Sequence, residues 1–292
     1  MAISPLTGRT TILEPSVRIV DLDAAELAGS NAIEAMYDDE LDVVLLRNVF
    51  PREPLAEVGR RLAAGEGGLD WLRPNPAELE GEDIWVLGIP LTPSGTAPRG
   101  PAIGDYLDSA DAYRAPVESL FGAGFAPRAA FEGALGRIAG GRPVELPRRA
   151  DGRAYAPYTV RLLAEGQGIG VHHDYHFGLP AYAELTAGLD KATSLSFFAP
   201  LAVPQAGGEL FVYALTLANP DKPELPNGRW DPDAIAGRYH HLELIPQVGD
   251  LIVFASGRCL HRVAPTVGAT PRITMGGFLA FDGARGRVLY WS

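Results

Sequence analysis

From Tyr155 onward the chain breaks into short apolar runs separated by Gly, Pro and Asp, and this pattern limits the possible folds more than any other feature. The runs are 157–164, 193–203, 208–217, 238–245, 250–255, 259–266, 272–281 and 287–291. They are rich in Val, Ile, Leu, Phe and Tyr and bounded by turn residues, so each reads as a strand. Many short strands without a long helix between them predict an antiparallel double sheet. The expected fold class is mainly β with flanking helices, around a double-stranded β-helix (jelly roll, cupin-like) core.

The first half is mixed. Residues 16–22 read as a short strand, 24–37 as a helical stretch, and 41–49 as a strong β run punctuated by Pro51. Leu55, Val58 and Leu62 have helical spacing, and further helices are expected near 111–121 and 128–139, the second with Phe131, Leu135 and Ile138 on one face. Residues 66–105 are rich in Pro and Gly with one apolar run, 84–89. Long irregular segments of this kind are often lids or binding loops. No repeat, low-complexity tract or linker-like break interrupts the chain. A single domain over 1–292 is expected, with 1–150 as an α/β support and substrate-covering region and 151–292 as the β core.

Composition narrows the partners. With 36 acidic and 25 basic residues the net charge is -11, so nucleic acid is not an expected partner. A single cysteine, Cys259, rules out an internal disulfide and a Cys-based zinc site and suits a reducing cytoplasm. The chain shows no signal-peptide pattern and no apolar run long enough to span a bilayer. A cytoplasmic enzyme with no membrane partner is therefore expected; nothing in the sequence specifies an oligomeric state.

Three of the six histidines lie in Val171-His172-His173-Asp174-Tyr175-His176. Residues two apart on a strand share a face, so His172 and Asp174 would present an imidazole and a carboxylate side by side. His261 follows the strand-like Gly249-Asp250-Leu251-Ile252-Val253-Phe254 run, and Arg272 opens a later strand with Thr274 two residues on. Two His and one carboxylate make the facial triad of non-haem Fe(II) oxygenases, which leaves positions open for a 2-oxo acid and O2. A buried Arg can clamp the far carboxylate of that acid through two parallel hydrogen bonds. A His-x-Asp pair alone is a common surface arrangement, and a lone His a common core residue. The joint spacing carries the assignment of His172, Asp174 and His261 to metal, and of Arg272 and Thr274 to 2-oxoglutarate.

At these residues the sequence resembles the Fe(II)/2-oxoglutarate-dependent oxygenases of the prolyl-hydroxylase-like type. Gly207-Gly208-Glu209-Leu210, the 249–254 run and His261-Arg262-Val263 carry the resemblance. Within that superfamily the chain is most similar to the freestanding aliphatic halogenases of indole-alkaloid pathways. The matching stretches include Arg47-Asn48-Val49-Phe50-Pro51-Arg52, Leu162-Leu163-Ala164-Glu165-Gly166, Gly276-Gly277-Phe278-Leu279-Ala280-Phe281 and Tyr290-Trp291-Ser292. The resemblance implies a double-stranded β-helix that uses Fe(II), 2-oxoglutarate and O2. One departure matters: those halogenases have Gly where this chain has Asp174. The missing carboxylate opens an iron position for chloride, and here that position is filled. The resemblance then implies the hydroxylase branch, as in related hydroxylases of N-acylated amino acids. The expected reaction hydroxylates an unactivated C–H bond of a small molecule, a natural-product intermediate or amino acid derivative, with succinate and CO2 as co-products. Desaturation, cyclisation or epimerisation by the same machinery is an alternative. A non-redox cupin-like binding role is another, which Arg272 argues against, and a protein-modifying hydroxylase is a third.

Other positions carry two readings each. Arg161 contributes to the 2-oxoglutarate pocket by family analogy, or is a structural Arg on its strand. Ser196 matches a serine beside the metal in the halogenases, or is a small polar core residue. Ile169 and Phe177 flank the His-x-Asp segment and face substrate or core. Trp85 falls in the region resembling the halogenases' substrate-covering segment. Cys259 is expected to be a buried thiol, and His173, His176, His240 and His241 to be non-ligands.

Overall fold

The apolar runs of the first half enter the sheet framework directly. The computed structural model describes residues 9–13, 17–23, 30–73, 84–94, 97–225 and 229–292. Strands β1 (Arg9–Leu13) and β2 (Val17–Asp23) pair antiparallel. Helix α1 (Ala32–Tyr37) then leads to β3 (Val43–Arg47), which lies parallel to β2. The expected helix from residue 24 begins at Ala32; residues 24–29, like Ser16, lie outside the described residues. Next come α2 (Arg52–Ala63), β4 (Trp85–Leu87), α3 (Ile103–Leu120), α4 (Pro127–Ile138) and β5 (Val144–Glu145). Helix α3 starts well before the expected residue 111, because Tyr106, Leu107 and Ala110 extend its buried face. Phe131, Leu135 and Ile138 of α4 are buried as expected.

The second half follows the predicted runs closely. It contains β6 (Thr159–Leu163), β7 (Ile169–His172), β8 (Leu195–Ala202), β9 (Ala206–Gly207) and β10 (Leu210–Thr216). After α5 (Pro232–Arg238) come β11 (His241–Leu244), β12 (Leu251–Phe254), β13 (Cys259–Val263), β14 (Thr266–Val267), β15 (Arg272–Phe281) and β16 (Val288–Trp291). Two features were not in the expected pattern. Strand β7 is short and broken by glycines, and α5 is a two-turn helix. Asp231 caps α5, its Oδ1 accepting from the Asp233 and Ala234 amides at 3.0 and 3.1 Å, with Pro232 at the first helical position.

Among the described residues the larger sheet has ten strands, ordered β1-β2-β3-β12-β8-β15-β16-β5, with β6 on the free part of β15 and β4 on β6. The smaller sheet is β11-β10-β13-β7, and β9 pairs with β14. The sheets face each other: the Phe254 ring on β12 meets the His261 ring on β13 edge to face, centroids 4.9 Å apart. This is the double-stranded β-helix that the run pattern predicts.

Every residue of β12 is buried, because the larger sheet is covered on both sides. Helices α2 and α4 cover its outer face. Leu55, Val58 and Leu62 are buried on α2, each contributing about 1.5–3 kcal/mol by leaving water. Helix α2 lies so close to β8 that a Cβ at Gly59 would sit 2.0 Å from the Leu201 carbonyl oxygen, so glycine is required there. On α4, the Phe131 ring meets Phe197 of β8 at 5.2 Å and Phe50 at 5.3 Å. The turn before β12 is locked to the end of β3 by Asp250, which accepts from Arg47 Nη1 (3.0 Å), the Asn48 amide (3.1 Å) and the Gln247 amide (2.9 Å). No described helix is long and apolar enough to cross a membrane.

Candidate metal centre and adjoining cavities

Strands β13 and β7 pair antiparallel with His261 opposite His172, which brings the two imidazole centroids to 4.1 Å. His172 Nδ1 lies 2.8 Å from the Gly170 carbonyl and His261 Nδ1 lies 3.1 Å from the Cys259 carbonyl. A carbonyl only accepts, so each ring donates from Nδ1 and points its Nε2 inward. Burial, reinforced by His261, pushes the His172 pKa down to about 3, so the ring is neutral.

Asp174 completes the group, but not by strand alternation. Strand β7 ends at His172, and Asp174 lies beyond it, tied down by its amide donating to the Ser256 carbonyl at 2.9 Å. Its Oδ2 is 3.3 Å from His261 Nε2 and its Oδ1 is 3.7 Å from His172 Nε2. One ligand atom from each of the three residues falls within 4.8 Å of the others. Burial alone would raise the Asp174 pKa, but the surrounding imidazoles, His261 first, hold it well below the usual carboxylate range. Two inward Nε2 atoms, which give up any proton when a metal binds, and one ionised carboxylate fit a divalent iron ion.

The expected residues around this centre divide clearly. Ser196 Oγ donates to Asp174 Oδ2 at 2.7 Å. Arg272 is buried at the start of β15, its Nε donating to the Gly208 carbonyl at 3.0 Å and its guanidinium stacked 5.0 Å from the Phe198 ring centroid. Gly208 has a φ of 72°, and a Cβ there would meet the Arg272 side chain at 3.1 Å, which explains the second glycine of the Gly-Gly-Glu-Leu motif. Burial, with a contribution from Arg161, lowers the Arg272 pKa to about 10, so it is still a cation at neutral pH. Thr274 pairs across the sheet with Arg161 of β6, so the two cations and the hydroxyl share one region.

Two cavities meet at the triad. The inner one, about 60 Å³, is lined by Arg272, Thr274, Arg161, Ser196 and the three candidate ligands. The outer one, about 310 Å³, is lined by Val86, Pro90, Thr92, Val171, His173, His176 and Arg229, among others. Arg161, Ile169, His172 and Asp174 line both. A larger groove of about 590 Å³ between α4, β5 and β16 contains none of these residues.

Ile169 therefore faces the cavities. Phe177 does not line either one; it is buried among Tyr175, Tyr182 and Trp291. Trp85 lies under the Arg73 guanidinium, 4.8 Å from its ring centroid, and its neighbours Ile84 and Val86 line the outer cavity instead. Cys259 is buried 3.8 Å from Asp42, its thiol pushed up to about 12, chiefly by burial. His173 Nδ1 accepts from the Tyr175 amide, and His240 and His241 line neither cavity. His176 comes nearer, its Nε2 3.8 Å from Asp174 Oδ1, yet it stands outside the group of three. Ser256, whose Oγ is 2.6 Å from Ser196 Oγ, and the 90–94 and Arg229 wall were not foreseen.

The sequence profile described as carrier-protein-independent halogenase WelO5 matches residues 16–292. No curated protein matches the chain significantly. The fold is similar to the crystal structure of an N-substituted L-amino acid dioxygenase from Burkholderia ambifaria AMMD, at 15% identity and a TM-score of 0.52 over 89% of this chain and 90% of that one. The same enzyme in complex with alpha-KG gives 16% identity and a TM-score of 0.51 over 89% and 90%. A prolyl-4-hydroxylase from Pseudomonas putida matches at 18% identity, with a TM-score of 0.37 over 84% of this chain and 96% of that one.

Proposed function

The chain belongs to the carrier-protein-independent halogenase WelO5 family and so to the 2-oxoglutarate and Fe(II)-dependent oxygenases, and from that premise we propose that it hydroxylates a small molecule rather than halogenating one. The observation that carries this reading is the Asp174 carboxylate beside His172 and His261, at 3.7 and 3.3 Å. With three protein ligands, and two further positions for a chelating 2-oxo acid, one position is left for O2 and none for a halide.

In this reading His172 and His261 hold iron(II) through Nε2 and Asp174 holds it through its carboxylate. Arg272 receives the far carboxylate of 2-oxoglutarate with the Thr274 hydroxyl beside it, and Arg161 contributes from the other wall. The guanidinium–carboxylate pair is screened from water by Phe198 and the Gly208 backbone, which strengthens it. Bound together, iron(II), 2-oxoglutarate and O2 supply an oxidant able to take hydrogen from an unactivated carbon, with succinate and CO2 released. The chain's own part is orientation: the Nδ1 contacts hold both imidazoles, Ser196 holds the carboxylate, and the outer cavity holds the substrate. We treat 1–292 as one catalytic unit and place it in the cytoplasm, in keeping with its single buried thiol.

The test is a screen of small metabolites for succinate release above the uncoupled background, with products identified by mass. His172→Ala and His261→Ala should each abolish iron-dependent succinate formation. Near-native activity in either variant would overturn the ligand assignment.

A further inference from the structure

We propose that the substrate carries a carboxylate and that Arg161, at the junction of the two cavities, receives it. The proposal rests on the cofactor reading above and names the substrate class of the same site.

The Arg161 side chain makes no hydrogen bond or ion pair with any described residue, although it is largely enclosed at the meeting point of the cavities. Asp174 is the only acidic residue lining either cavity among the described residues, and its two oxygens are already engaged by Ser196 and the imidazoles. The charges do not balance when the centre is loaded. Asp174 and a 2-oxoglutarate dianion stand against iron(II), Arg272 and Arg161, with the histidines neutral, and one positive charge is left over. An enclosed, uncompensated cation is costly, and an entering anion removes that cost where a neutral group does not.

Geometry gives the second argument. A guanidinium offers five donors in one plane, so contact with 2-oxoglutarate on the inner side leaves donors for the outer side. The outer wall sets apolar side chains, Ile84, Val86, Pro90 and Val171, beside polar ones, Thr92, Ser94, His173 and His176. A ligand with a carboxylate at Arg161 and a partly apolar body matches this mixed lining. A cationic ligand would face the Arg161 guanidinium.

The experiment uses the full chain loaded with Fe(II) and saturating 2-oxoglutarate without O2, where the metal-to-2-oxoglutarate absorption band reports the loaded state. The probes are 4-phenylbutyrate and 6-phenylhexanoate, each against its primary amide, titrated by calorimetry. The carboxylates should bind about tenfold or more tightly than the amides. Arg161→Gln should shrink that preference to about twofold. Equal affinities of acid and amide in wild-type protein that shows the band, or no carboxylate binding up to millimolar concentration, would overturn the proposal and leave the cofactor reading standing. Failure of wild-type protein to form the band would overturn the cofactor reading itself, and the proposal with it.

Discussion

The Ser196 hydroxyl lies 2.7 Å from Asp174 Oδ2 and thereby fixes a carboxylate that no strand holds. Ser196 sits on β8 of the larger sheet, while Asp174 lies past the end of β7 of the smaller one. Because Ser196 donates to Asp174, the Ser256 hydroxyl at 2.6 Å must donate to Ser196. The two sheets are thus linked through a short chain of hydroxyls ending on the candidate ligand.

Ser196→Ala removes that donor. Loss of a group that orients a ligand typically lowers metal affinity about 10–100-fold. Ser256→Ala should cost less, since Ser196 keeps its own proton for Asp174. Anaerobic Fe(II) titrations of the three proteins check the order; wild-type affinity in the Ser196 variant would contradict it.

Arg272→Ala should raise the 2-oxoglutarate requirement well over tenfold and leave iron binding nearly unchanged. Truncating one partner of a buried charge pair costs about 2–5 kcal/mol. The 2-oxoglutarate dependence of succinate formation and the iron titration separate the two effects. An unchanged requirement would move the clamp to Arg161.

The sequence was most informative where strand rules apply. Each predicted run of the second half appears as a strand, and the spacing of His172, Asp174, His261 and Arg272 brings all four to one place. Alternation along β7 does not place Asp174, because the strand ends at His172 and the Asp174 amide bonds instead to the Ser256 carbonyl. Ser256 itself follows an apolar strand in Ala255-Ser256-Gly257 and looks like turn chemistry in sequence; its role exists only through the β12–β8 pairing. Phe177 and Trp85 illustrate a second limit. An apolar residue near a motif has no periodicity that separates core from cavity wall, and that choice is made by neighbours such as Trp291 and Arg73.

Asp42 gives a prediction about stability and pH. It accepts from the Arg18 amide at 2.7 Å, from Arg18 Nε at 3.0 Å and from Arg258 Nη2 at 2.6 Å. Burial would raise its pKa, but these partners outweigh burial and lower it. A carboxyl whose folded pKa is depressed stabilises the fold above its ordinary pKa and loses that contribution as pH falls through the folded value. Asp42→Asn should therefore cost about 3 kcal/mol near neutral pH, and the difference from wild type should narrow below about pH 4. Denaturant unfolding at several pH values checks this; a constant difference would contradict it.

Cys259 should be silent in the native protein. Its thiol is buried and pushed up to about 12, so little thiolate forms near neutral pH. Iodoacetamide should label it only after unfolding, as read by intact mass. Rapid labelling of folded protein would place the thiol at the surface.

The most direct measurement of the central claim is the mass of the product made by wild-type enzyme from its substrate under 18O2 with excess bromide. With Asp174 holding the third protein position, the product should gain one 18O atom and no bromine. A brominated major product would contradict the account.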